Sequence, residues 1–285
     1  MKMKEYQRLL VKIMSKLKIN ANILKIFAIT VMLIDHIGCY FVSKIAPRPY
    51  YIIRSIGRLA MPIFLYLIVQ GFFYTSNLKK YIFRVFCLAT ITQIILIVLG
   101  IINEVQFPSY ICRENEYFGV LFSYTLSLIL IAMLEYKKPL KKVNTLINFI
   151  FRIVVIFLIA VVYINIDIEF DMRIPFMFIE IYVIEKIFMD KENHILFLKR
   201  KFENKWKKAF LKIIYVLLIE FSFLSSLDFS AYHPGYKYAI AYTAIPLLLY
   251  NGEKGKNNRL IKILFYAVFP LQHLIFYLSG MIICS

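Results

Sequence analysis

Charge is what this chain has least of. Only 18% of its 285 residues are charged, against about a quarter in an ordinary soluble domain, while 61% are hydrophobic and 17% aromatic. The apolar excess has to be hidden in lipid rather than in a core. Cysteine is scarce too: Cys39, Cys87, Cys112 and Cys284 form no CxxC pair, which argues against both a metal site and a disulfide framework. Cys112 and Cys284 fall on the same side of the topology described below and could pair, but two unpaired thiols is the better reading. Also missing are a Walker loop, GxGxxG, HExxH and the carboxylate ladder of an ion pump. There is no internal repeat, low-complexity linker or second domain. The chain therefore reads as a single integral membrane domain over 1–285, with a basic arm at 1–22 and a transmembrane bundle over 23–285.

What is present is long apolar runs, each able to cross a hydrocarbon core of about 30 Å. Hydropathy predicts an all-α polytopic bundle of about nine spans. They are Ile23–Val42, Ile53–Tyr74, Ile82–Ile102, Phe118–Leu134, Leu146–Asn165, Met172–Met189, Ala209–Leu227, Tyr236–Tyr250 and Leu260–Ile283. The sixth carries Arg173, Pro175, Glu180 and Glu185, and the eighth is short and contains Pro246, so either could be a broken segment buried by protein. The first run has full spanning length, with no small-residue cleavage site after it, and is expected to be a retained helix rather than a signal peptide.

A net charge of +18 could suggest nucleic acid, but its distribution fits the positive-inside rule. Basic sets recur at every second loop. They are the N-terminal arm, then Lys79, Lys80 and Arg84, Lys137–Lys142, Lys199–Lys208, and Lys254 to Arg259. The loops between are lean or acidic, holding Glu104, Glu114 and Glu116, then Asp167, Glu169 and Asp171, then Asp228; the first, with Lys44, Arg48 and Arg54, is the exception. This alternation predicts a cytoplasmic N-terminus in the cell (inner) membrane, and no nucleic-acid partner. The segment 190–208 suits either an amphipathic surface helix, through Ile195, Leu196, Leu198 and Phe202, or a solvated loop.

Ionisable side chains inside a span are costly and are functional candidates by default. Asp35 and His36 lie in Leu33-Ile34-Asp35-His36-Ile37-Gly38. Neighbours on a helix point about 100° apart, so Asp35 cannot orient His36 as a triad acid would, and each needs a partner on another helix. His36 suits either a general base or a structural histidine. In Arg54-Ser55-Ile56-Gly57-Arg58-Leu59-Ala60-Met61-Pro62, the two arginines share a helical face that fits a phosphate, a carboxylate or a developing oxyanion. Arg54 is expected to snorkel to the outer headgroups, with Arg58 buried. At 1.5 Å per residue, His36 and His273 lie about 20 Å, and Arg58 about 22 Å, from the inner face, which makes one shared polar site possible. Gln70, Gln93, Glu180 and Glu220 are expected to join helices by hydrogen bonds. Lys79, Lys80 and Arg84 could bind the phosphates of a cytosolic cofactor, although the positive-inside rule already accounts for them.

Several strings together resemble the TraX family, named for the conjugation protein that acetylates the N-terminus of pilin. They are Leu24-Lys25-Ile26-Phe27-Ala28, Met32 to Gly38, Arg54-x-x-Gly57-Arg58-Leu59-Ala60-x-Pro62, Gln70-Gly71-Phe72, Lys237-Tyr238, Ile245-Pro246-Leu247, and Tyr250 to Gly255. The resemblance implies a membrane acyltransferase using acetyl-CoA, with no metal. His36 would be its catalytic histidine, Arg58 a positioning or oxyanion group, and Asp35 and His273 supporting residues. Arg54, His273, Lys237 and Tyr238 would meet the substrate, and Lys80 and Arg84 the cofactor. Two features depart from the family pattern: His273 stands three residues after Pro270 rather than two, with Gln272 in the usual place, and Gly119 and Ser123 replace an asparagine and a threonine.

The expected reaction is acetyl transfer to an amine or hydroxyl of a peptide, pilin-like protein or envelope glycan. A small-solute or proton-coupled transporter, and a non-catalytic scaffold of a conjugation or secretion apparatus, are the alternatives from other classes.

Overall fold

The computed structural model describes residues 18–41, 45–106, 118–135, 145–189, 196–199, 202, 204–226, 238–255 and 259–284. Among the described residues the α-helices follow in the order α1 Ala21–Tyr40, α2 Pro47–Gly57, α3 Ala60–Tyr74, α4 Leu78–Gln106, α5 Val120–Leu134, α6 Thr145–Asn165, α7 Arg173–Phe188, α8 Lys205–Ser226, α9 Ala244–Leu249 and α10 Arg259–Cys284, with short 3-10 turns at Phe197–Lys199 and Ala241–Thr243. Among the described residues β pairing is limited to two isolated bridges, Ile19 with Tyr250 and Phe118 with Ile168.

Where they are described, all nine predicted runs are helical, but among the described residues only six helices are long and apolar enough to cross a membrane: Ala21–Tyr40, Pro47–Tyr74, Leu78–Ile102, Leu146–Asn165, Trp206–Ser226 and Lys262–Gly280. The difference is length first, since α5 and α7 have only 15 and 16 residues, and it goes with burial. In α4 and α6, only 22% and 17% of the apolar window is covered by protein, so these helices have to meet lipid along most of their surface. By contrast α5, with 15 residues, is about 22 Å long and packs Leu121, Tyr124, Leu128 and Ile131 into the core. The 16-residue α7 likewise buries Ile174, Met177, Phe178 and Ile181. A helix too short or too polar for lipid is tolerated where neighbours enclose it.

Local chemistry explains the helix boundaries that matter for the site. The Asn20 side chain caps α1, accepting from the N–H groups of Asn22 and Ile23. Pro47 opens α2, where its missing N–H costs nothing. The Pro47–Tyr74 span is interrupted at Arg58–Leu59, because Pro62 has no N–H to give the Arg58 carbonyl and its ring crowds that carbonyl.

At one end of the bundle, the Tyr250–Gly255 turn clamps the start of α1. Asn251 N–H donates to the Ile19 carbonyl (2.9 Å), Ala21 N–H to Glu253 (2.8 Å), and Ile19 N–H to Leu249 (3.1 Å). Gly252 and Gly255 both have φ of 79°, a backbone that favours glycine. Lys212 Nζ donates to the Tyr250 carbonyl at 2.7 Å, Tyr74 donates to Gly252 at 3.2 Å, and Lys199 lies over the Tyr74 ring. The opposite end is acidic: Glu169 accepts from Val120 N–H, and Phe118 pairs with Ile168. The segment leading to α8 corrects one expectation. Leu196, Phe197 and Leu198 are buried and Phe202 packs on the core, so these apolar residues tuck into the bundle rather than lie on a leaflet.

Candidate functional site

Asp35 accepts an ion pair from Arg54 Nη1 at 2.9 Å. It also takes two bonds from Arg58 Nη2, at 3.0 Å to Oδ1 and 2.9 Å to Oδ2. All three side chains are at most 16% exposed. Arg54 therefore does not snorkel; the carboxylate turns it inward, and its aliphatic stem lies against Gly38. A cation lifted into low dielectric is stabilised by a bonded counter-ion more than by reaching distant headgroups.

Glycines make this contact possible. A Cβ on Gly57 would sit 2.2 Å from the Asp35 Cβ and Oδ1, and one on Gly38 would sit 3.0 Å from Ile53 Cγ2 and 3.1 Å from Arg54 Cδ. The glycine of each sequence motif receives a side chain of the other. The two strings form two halves of one interface between α1 and α2.

On a different face of α1, His36 meets α10. Its ring lies edge-on to His273, with centroids 5.0 Å apart and planes at 78°. His36 Nδ1 is 2.8 Å from the Met32 carbonyl, which only accepts, so Nδ1 carries hydrogen and Nε2 is the basic nitrogen of the neutral ring. His273 Nδ1 shares a hydrogen bond of 2.9 Å with the Tyr40 hydroxyl. The altered spacing after Pro270 thus still brings His273 to His36, while Gln272 is buried with its Nε2 3.8 Å from the Met32 sulfur. Co-depth of His36 and His273 becomes contact, and Arg58 reaches the neighbouring Asp35. The site holds two adjoining parts, an arginine–aspartate–arginine cluster and a histidine pair.

Other candidates stand elsewhere. Lys237 lies outside the described residues, and Tyr238 is 73% exposed. Lys80 and Arg84 are exposed at the start of α4, where Arg84 Nε donates to the Lys80 carbonyl at 3.2 Å. The expected helix-joining bonds are present: Gln70 donates to Glu185, Ser222 to Glu180 and Thr243 to Glu220, while Gln93 accepts from Gly119 N–H. Glu185 also accepts from Tyr215, whose hydroxyl bonds Tyr66 at 2.8 Å. Sequence reasoning missed Tyr40, although its place four residues after His36 put both on one face of α1. Among the described residues, no group of three or more His, Cys, Asp and Glu side chains is placed to hold a metal ion.

Fold and site together define a class: an all-helical, multi-pass membrane protein with a polar cluster enclosed between its first helices and its last. The family model described as TraX protein matches residues 20–279, and the chain belongs to that family. It is also similar to the probable fimbrial assembly protein FimC, serogroup H1, of Dichelobacter nodosus, 37% identical over 70 residues. That stretch is 25% of this chain and spans only 28% of the relative. No solved structure matches the chain.

Proposed function

We propose that this chain is an acetyltransferase of the cell membrane. It would move an acetyl group from acetyl-CoA to an amine or hydroxyl on a peptide, pilin-like protein or envelope glycan. The observation that carries the reading is the tautomer of His36. With Nδ1 tied to the Met32 carbonyl, Nε2 is left as a base inside a polar layer of the bundle. The acceptor gives its proton to Nε2 as its nitrogen or oxygen attacks the thioester carbonyl. The resulting oxyanion collapses, the C–S bond breaks, and the departing thiolate takes the proton from His36. Asp35 neutralises one of its two arginines, so the cluster keeps one net positive charge beside α1, suited to stabilising the oxyanion. Asp35 is then the residue that positions Arg58, not an acid–base group.

The basic end of the bundle, with Lys199 and Lys212, faces the cytoplasm in this reading, as does the N-terminus. Acetyl-CoA arrives from that side, and the acceptor meets it in the outer half. The D. nodosus relative, a probable fimbrial assembly protein, favours a pilus-related acceptor. The test is purified protein in liposomes with radiolabelled acetyl-CoA, offered a synthetic peptide with a free N-terminal amine or a sugar with free hydroxyls. Label should pass to one of them and be lost in His36→Ala at unchanged folding. Undiminished transfer by that variant would remove His36 from the chemistry.

A further inference from the structure

His36 and Tyr40 stand four residues apart on α1, and His273 and Tyr277 four apart on α10, so each pair shares a helical face. The helices run side by side in the same direction: Lys25 lies over Phe265, Gln272 touches Met32, and Tyr40 packs on Phe276. The two pairs therefore face one another: the rings of His36, Tyr40 and His273 meet directly, and Tyr277 joins them through Tyr40. The Tyr40 hydroxyl bonds His273 Nδ1 at 2.9 Å, and the Tyr40 and His36 ring centroids are 6.4 Å apart. Tyr277 joins Tyr40 and Leu99 in one buried cluster. It is 5% exposed, yet its hydroxyl has no hydrogen-bond partner among the described residues. Buried phenol groups ordinarily find one, so this hydroxyl is free for a partner brought from outside the chain.

We propose that Tyr40 is a positioning residue and Tyr277 a substrate-contact residue of the His36 site: Tyr40 fixes the tautomer and orientation of His273, and the Tyr277 hydroxyl bonds a neutral polar group of the acyl acceptor. This rests on the acetyl-transfer reading above. The group is neutral because the rings offer phenols and imidazoles only, the carboxylate of Asp35 is committed to Arg54 and Arg58, and Glu169, the other carboxylate acting on His36, accepts from the Val120 N–H. An ammonium would find no uncommitted carboxylate here, whereas a hydroxyl or a free-base amine is matched by these partners.

Two measurements on the full chain in liposomes test this. With acetyl-CoA and a synthetic peptide carrying a free N-terminal amine and a serine, Tyr277→Phe should raise KM for the peptide about tenfold, as expected for one lost hydrogen bond, and leave kcat and the melting temperature nearly unchanged. Solid-state NMR of ring-¹⁵N-labelled histidine, with the signal assigned through His273→Gln, should show the His273 Nδ1 resonance displaced in Tyr40→Phe. An unchanged KM in Tyr277→Phe overturns the contact, and identical His273 resonances in wild type and Tyr40→Phe overturn the positioning. Wild-type protein that acetylates nothing removes the transfer reading and the Tyr277 role with it, while the NMR measurement decides Tyr40 regardless of turnover.

Discussion

Replacing Gly57 by alanine adds one methyl group where the structure has no room for it. The new Cβ would lie 2.2 Å from the Asp35 Cβ and Oδ1, whereas real Cβ contacts essentially never fall below 3.0 Å, so α1 and α2 must part by at least the 0.8 Å difference. The neighbour is not the tip of a flexible chain but a Cβ fixed to the backbone of α1, so the helices themselves have to move. Overpacking of this kind costs about 1–3 kcal/mol. If the shift also parts Asp35 from Arg58, the loss of a buried ion pair adds about 3–5 kcal/mol. Gly100 supplies the control on α4, because a Cβ there meets nothing within 4 Å and alanine should gain up to about 1 kcal/mol of helix propensity. Thermal unfolding of both variants in the same detergent, followed by monodispersity after heating, compares them directly. Gly57→Ala should melt several degrees below wild type and Gly100→Ala at or above it. Equal melting temperatures for the two variants would refute the close approach of α1 and α2 and the reading of the glycines in both motifs.

Other substitutions probe the remaining contacts. Arg58→Lys should abolish most acetyl transfer, because one ammonium cannot hold both Asp35 oxygens, as Nη2 does, and the Arg54 carbonyl, as Nε does, at once; Arg54→Lys, whose contacts to Asp35 run through Nη1, should cost less, and the ratio of initial rates measures the difference. Glu185→Leu should lower stability by about 1–3 kcal/mol by stranding the buried donors of Gln70 and Tyr215, whereas Glu185→Gln, which retains an acceptor oxygen, should lose less in the same melting assay. Gly252→Ala combines a φ of 79° with a Cβ 2.7 Å from that of Leu198, and should loosen the basic end of the bundle, read as faster proteolysis between α9 and α10.

Much of this was readable from residue order. Apolar run length placed nine helical runs, because a backbone in lipid has few alternatives to a helix, but it left the start of α2, Pro47 to Ile52, in a loop and did not divide α2 from α3. Counting residues along three spans at about 1.5 Å each put His36 and His273 in one layer, which made a shared site possible without showing that α1 and α10 are neighbours. What run length could not reveal is which face of each helix looks inward. In a soluble helix the polar face points to water, but here both lipid and core are apolar, so the sequence of α5 or α3 carries little directional signal. The inward turn of Arg54 depended on Asp35 being within reach across the interface, a distance set by Gly38 and Gly57. Tyr40 and Tyr277 were silent for a related reason. They are two of 21 tyrosines in a chain that uses aromatic residues throughout as packing. Only their i, i+4 relation to the two histidines distinguishes them, and that relation acquires meaning once α1 and α10 are known to be neighbours.

The bond between Tyr40 and His273 joins residues 233 positions apart, and the Asn251–Ile19 bridge ties the same two regions together at the basic end. Half of the polar layer is therefore among the first parts of the chain to leave the ribosome and the other half among the last. During synthesis His36 and Asp35 enter the bilayer long before α10 exists, and Arg54 and Arg58 are the partners that arrive soon enough to satisfy the acid. The histidine waits for nearly the whole chain. Any product of interrupted translation that lacks α10 inserts into the membrane without the histidine pair, so the polar layer is completed only when α10 joins α1.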